Sequence, residues 1–81
     1  MAEEIEFVVN GRAIALTRAA VWEAMRGVVA EPVQTHSVLV EGTRYPVKQV
    51  FQEATGLDRL DFTSATARRN LTKLGFEVTR S

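Results

Sequence analysis

The side chains with most to offer chemically lie between Thr63 and Lys73, in the run TSATARRNLTK. Arg68, Arg69 and Lys73 are cations of the kind that pair with phosphates or read guanine edges in a major groove. Thr63, Ser64 and Thr66 are hydroxyls at the start of the same run, where free backbone N–H groups and the helix dipole favour a phosphate. Ala65 leaves room for close approach to bases, and Asn70 is either a base-bonding amide or a helix-edge residue. No acid occurs between Asp61 and Glu77. The alternative for this face is a solvated surface with ordinary i,i+4 partners. Upstream, Arg44, Tyr45 and Lys48 open the preceding helix. Arg44 and Lys48 suit phosphate contacts from a helix that crosses the nucleic-acid backbone. The alternative there is a Tyr45 packed as a staple and a solvated Lys48.

Other chemistries find little support. His36 is the only histidine and there is no cysteine, so zinc sites of the ordinary type are excluded and His36 reads as a surface residue before a strand. Asp58 and Asp61 are close carboxylates, but with Arg59 between them they read as a turn and capping set. No glycine-rich phosphate loop, nucleophile elbow or acid–base pair occurs. The expectation is a non-enzymatic chain without cofactor or metal.

The elements that must position these residues follow from pattern. Val47, Val50, Phe51, Ala54 and Leu57 recur at helical spacing, between Pro46 at the opening and Gly56 past the end. A second helix over 63–74 is capped by Thr63 or Ser64 and stopped by Gly75, with Ala67, Leu71 and Leu74 inward and Phe62 and Phe76 over its ends. Between the two lies a short charged connection, LDRLDF. Earlier in the chain, Glu4 to Val9 and Arg12 to Leu16 flank Asn10-Gly11, a strong hairpin signal. Thr17 caps a helix over about 18–28, with Ala20, Val21, Ala24, Met25 and Val28 on its apolar side and Trp22 on the flank. Residues 34–41 form a strand, Gly42-Thr43 a turn, and 76–79 a last strand able to pair with 37–41.

Length and charge bound the reading. At 81 residues and 46% hydrophobic, one small domain is expected. No apolar run approaches the roughly 18–20 residues of a membrane span. The opening MAEEIEF lacks the basic start and apolar middle of a signal peptide, so a cytoplasmic location is expected. Net charge is zero, yet residues 1–41 carry six acids and three arginines, while residues 42–81 carry seven cations and four acids.

Three short segments carry a resemblance: Gly42 through Lys48 (GTRYPVK), Asp61 through Ser64 (DFTS), and Leu74-Gly75-Phe76. They resemble the N-terminal module of McrA-like HNH endonucleases, from bacterial modification-dependent restriction systems. In that family a Gly-x-x-Tyr-Pro-x-Lys element precedes two helices and a terminal Leu-Gly-Phe. The likeness covers residues 38–78. It implies binding of double-stranded DNA, including DNA carrying 5-methylcytosine. Ser64-Ala65 stands where the family often has a glycine pair, the N-terminal hairpin has no counterpart, and no HNH nuclease follows.

The fold expectation is α+β: a small winged-helix-like three-helix domain (17–81) with an N-terminal β-hairpin (1–16) and short additional strands. The functional expectation is sequence- or modification-dependent DNA binding, with helix 63–74 in the major groove. The alternative is a protein–protein adaptor or homodimer, its partner docking on strand edges or on a surface around Trp22, Met25 and Val29.

Overall fold

Two positive backbone angles in succession shape the start of the chain. Asn10 (φ 50°) and Gly11 (φ 77°) form a two-residue turn between β1 (Glu4–Val9) and β2 (Arg12–Thr17). In this computed structural model, which describes residues 3–33 and 35–80, the antiparallel register pairs Ile5 with Leu16, Phe7 with Ile14 and Val9 with Arg12. Ile5, Phe7, Val9, Ile14 and Leu16 thus share the inner face. Glu4, Glu6 and Val8 face out.

Helix α1 (Arg18–Met25) starts at the Thr17 cap, whose hydroxyl accepts from the Ala20 amide at 2.9 Å. It stops earlier than its apolar pattern suggests. Arg26 turns extended (ψ 124°) and Gly27 takes φ 75°. Val21 and Met25 are buried, and Ala24 and Val28 half-buried. Ala20 is exposed, because with only two turns the inward stripe narrows to positions four apart.

The expected strand over 34–41 is β3 (His36–Val40); Gln34 lies outside the described residues. The turn after it is Glu41-Gly42 (φ 50° and 80°), not Gly42-Thr43, and it begins a second hairpin. Thr43–Pro46 is β4, paired antiparallel with β3, where the sequence suggested only a lead into the helix. Tyr45 lies opposite Val38 in this ladder, and both are buried. β5 (Glu77–Arg80) pairs with the other edge of β3, giving the order β4-β3-β5.

Helix α2 (Val47–Thr55) buries Val47, Val50 and Phe51 and ends at Gly56. The connection that follows contains one 3-10 turn (Arg59–Asp61), capped by the Asp58 carboxylate, which accepts from the Leu60 amide at 2.9 Å. Asp61 has a further part: its Oδ1 accepts from Asn10 Nδ2 at 3.0 Å, tying this turn to the tip of the first hairpin. Helix α3 (Ser64–Lys73) starts at Thr63, whose hydroxyl accepts from the Thr66 amide. It closes with a paired turn: Phe76 N–H donates to Leu71 C=O, and Gly75 N–H to Thr72 C=O. That geometry needs Gly75 left-handed, at φ 89°.

Three helices and two small antiparallel sheets thus make an α+β domain. Its buried residues form one cluster drawn from both sheets and all three helices. Phe51 is its centre, with ring centroids 5.3 Å from Phe7 and 4.8 Å from Phe62.

Among the described residues three polar side chains, Ser37, Gln49 and Asn70, are buried with this core. Gln49 is 4% exposed. Its amide donates to Val29 C=O at 2.9 Å and accepts from Glu31 N–H at 3.0 Å, pinning the segment between α1 and β3 onto α2. Gln49→Leu preserves volume but strands both backbone groups. We expect a loss of about 1–3 kcal/mol of stability. Denaturant unfolding measures it, and faster exchange of the Glu31 amide should accompany it.

Candidate functional site

On α3, Ala67, Asn70, Leu71 and Leu74 turn inward, which leaves Ala65, Arg69, Thr72 and Lys73 exposed on the opposite side. Arg69 and Lys73 are four residues apart, so their side chains leave adjacent turns of one face. Among the described residues the ion pairs are Arg26–Glu23, Arg44–Glu77 and Arg59–Glu31. None engages Arg68, Arg69, Lys73 or Lys48. The basic face of α3 therefore carries charge that no carboxylate among the described residues neutralises.

The remaining candidate residues divide. Thr63 and Thr66 are committed to the helix start, their hydroxyls 3.2 Å apart, with Thr63 also bound to the Thr66 amide. Ser64 is half-buried at the same end. Three residues depart from the sequence reading. Asn70 is 2% exposed and donates from Nδ2 to Thr66 C=O at 2.9 Å, so it stitches its own helix and cannot reach a base. Tyr45 is 6% exposed, its side chain held in the core by its place in β4. Arg44 is not a free cation: it donates to Glu77 Oε2 at 2.7 Å and to Thr79 Oγ1 at 3.0 Å. In the β4-β3-β5 order Arg44 and Glu77 both lie opposite Leu39, so the contact spans β3 and has no sign in the local sequence.

Arg68 sits on the flank of α3, half-buried, with Nη1 3.2 Å from His36 Nε2. A guanidinium only donates, so Nε2 is the acceptor and the neutral ring carries its proton on Nδ1. Arg68 Nε is buried without a protein partner. His36 is thus more than a surface residue. Its register partner on β5 is Arg80. Desolvation, then the charges of Arg68 and Arg80, hold its pKa below the ordinary 6.5.

Beside this flank lies an open cleft of about 370 Å³. Its walls are the start of β3 (His36), the first turn of α2 (Val47, Lys48) and the first turn of α3 (Ser64), with Glu31 and Arg59 opposite. Lys48 Nζ stands 5.6 Å from the Phe62 ring centroid. Arg59 donates to Glu31 Oε2 at 2.7 Å and to Gln52 Oε1 at 2.6 Å. No group of three or more metal-binding side chains occurs among the described residues, and no helix is long and apolar enough to cross a membrane.

The depressed pKa of His36 has a definite sign. A base that titrates lower when folded contributes stability that is fully present above 6.5 and is lost as pH falls through the folded value. We expect thermal stability to decline as pH falls below 6.5, and to decline less in His36→Gln. An equal decline in both proteins would show that His36 is not the group responsible.

No curated protein and no solved structure matches the chain. A family model described as SCO5918-like does, over residues 6–81, a span that takes in β2 to β5, all three helices and every cationic residue of α3. The chain belongs to the SCO5918-like family.

Proposed function

We propose that this chain binds double-stranded DNA as a winged-helix-like module, with α3 docking in the major groove. The observation that carries the reading is the exposed pair Arg69 and Lys73 on a helix face without a carboxylate, interleaved with small side chains at Ala65 and Thr72. Arg69 and Lys73 would lie nearest the bases, with Arg68 and Lys48 on adjacent phosphates. The order α1, β3, α2, α3, β5 agrees with a winged helix, β4 being an added strand and β5 standing where the wing would begin. The likeness of Gly42–Lys48 and Leu74–Phe76 to the McrA-like N-terminal module points the same way and brings modified cytosine into the range of targets. In this reading the chain acts without catalysis, inside the cell, where DNA is available.

Four cations are few for such an interface. With Arg68 and Lys48 on phosphates and a slope of about −0.9 per phosphate neutralised, a plot of log affinity against log salt should fall with a slope near about −2. Arg69→Ala should weaken duplex binding by about tenfold or more, and Lys48→Ala should flatten that slope by about one. Fluorescence anisotropy on a labelled duplex reads both. No binding at micromolar protein in low salt would end the proposal.

A second reading, the protein adaptor, draws on the exposed apolar residues Val8 (68%) and Trp22 (39%) and on the open edges of the β1–β2 hairpin. It expects a dimer or a co-purifying partner by light scattering, together with no retention on heparin.

A further inference from the structure

The cleft between the start of β3 and the first turns of α2 and α3 has a charge balance that the outer face of α3 does not account for. On one wall, Glu31 is neutralised by Arg59 at 2.7 Å. On the other, Lys48 has no carboxylate partner among the described residues, and its Nζ stands 5.6 Å from the Phe62 ring centroid. His36 lines the same space, its Nε2 3.2 Å from Arg68 Nη1. Arg68 follows Ser64 by one helical turn, lacks a carboxylate partner, and keeps a buried Nε with no protein acceptor. Arg80 lies across the strand from His36. Among the described residues Lys48 is thus the lining cation without a carboxylate, and Arg68 and Arg80 add positive charge beside His36. No side chain caps the start of α2, whose Val47 and Lys48 form part of the wall. At about 370 Å³ the cleft falls in the lower part of the roughly 300–1,000 Å³ range of small-ligand sites.

We propose that this cleft is a phosphate-binding site, with Lys48 supplying charge from its wall, Arg68 adding charge from beside His36, and Ser64 and His36 supplying polar contacts. A tetrahedral dianion fits the donors present, since ammonium and guanidinium groups and a hydroxyl can all donate to its oxygens. Where the phosphate belongs to a DNA backbone, the proposal rests on the DNA-binding reading, and the cleft would fix the strand beside α3. As a seat for a phosphate group it does not need that reading. The site also carries its own pH response. His36 faces Arg68 from α3, Arg80 from β5 and Lys48 from α2, with the Glu31–Arg59 pair across the cleft. A bound anion offsets those cations and favours protonation of the ring, so phosphate binding should raise the His36 pKa.

The test is an amide and imidazole NMR titration of the whole chain with inorganic phosphate at constant ionic strength, chloride being the control. We expect saturable shifts centred on Val47, Lys48, Ser64 and the His36 ring, with a dissociation constant on the order of 1 mM. Lys48→Gln should weaken binding about tenfold, and saturation with phosphate should raise the His36 pKa read from its ring shifts. Shifts that do not saturate, that centre elsewhere, or that survive Lys48→Gln unchanged would overturn the proposal. A second arm uses a short duplex. If the duplex shifts the same amides and phosphate competes with it, the site seats a backbone phosphate. If phosphate saturates the cleft while the duplex leaves every amide unmoved, the phosphate site stands for a free phosphate or monoester and the DNA reading falls.

Discussion

Phe51 is the residue on which the architecture turns. A helix of nine residues is too short to persist alone, and a two-stranded hairpin is marginal at best in water. Phe51 joins one to the other, its ring lying between Phe7 of β1 and Phe62 at the entry to α3. Aromatic pairs at these spacings are worth roughly 0.5–1.5 kcal/mol beyond the area they bury. Their larger effect is geometric. Because Phe62 immediately precedes the Thr63 cap, the position of the α3 N-terminus is set by the ring that also anchors the hairpin. The Asn10–Asp61 hydrogen bond adds a polar tie across the same junction. The face of α3 that the functional reading depends on is therefore held from both the sheet side and the helix side.

The acids of the second half of the chain explain why that face stays cationic. Glu77 is held by Arg44 across the sheet. Asp58 caps the 3-10 turn, and Asp61 accepts from Asn10. Three of the four acids after residue 41 thus serve the scaffold, and Glu53 makes no ion pair among the described residues. Folding distributes an even number of charges unevenly: the acids are spent on local structure while Arg69, Lys73 and Lys48 are left facing solvent or cleft. Arg44 belongs with the scaffold for the same reason, and a sequence-level count of cations overstates the interface by one.

The legibility of the sequence follows the range of the interactions. The β1–β2 hairpin, the α2 stripe and both ends of α3 depend on signals within a few residues, Asn10-Gly11, Thr63 and Gly75 among them, and each is where pattern predicts. Failures occur where a distant partner decides. Tyr45 and Asn70 looked accessible because a short polar-flanked segment and an amide on a helix give no local sign of burial. Only the pairing of Val38 with Tyr45, and the packing of the Asn70 side of α3, put them inside. The strand Thr43–Pro46 was hidden because it is four residues long and runs directly into a helix. Gln49 gives no local signal and His36 reads as a surface residue for the same cause: each is a polar residue whose partners lie about 20 to 44 positions away. A periodic reading treats such residues as solvent-facing by default.

Zero net charge is a weaker argument against an anionic partner than it first looks. Screening at physiological ionic strength has a length of about 8 Å. The molecule measures 30 × 25 × 22 Å, so charges separated by its breadth scarcely sense one another. What a phosphate meets is the local arrangement within one screening length. Around the flank of α3 that arrangement is Arg68, with Arg80 close enough to help depress the pKa of His36. The imidazole resists protonation first because it is desolvated, and then because Arg68 and Arg80 lie near it. The acidic residues of the first half belong mostly to the exposed edge of β1 and to the segments around α1. They lower the total without cancelling the field where it would act.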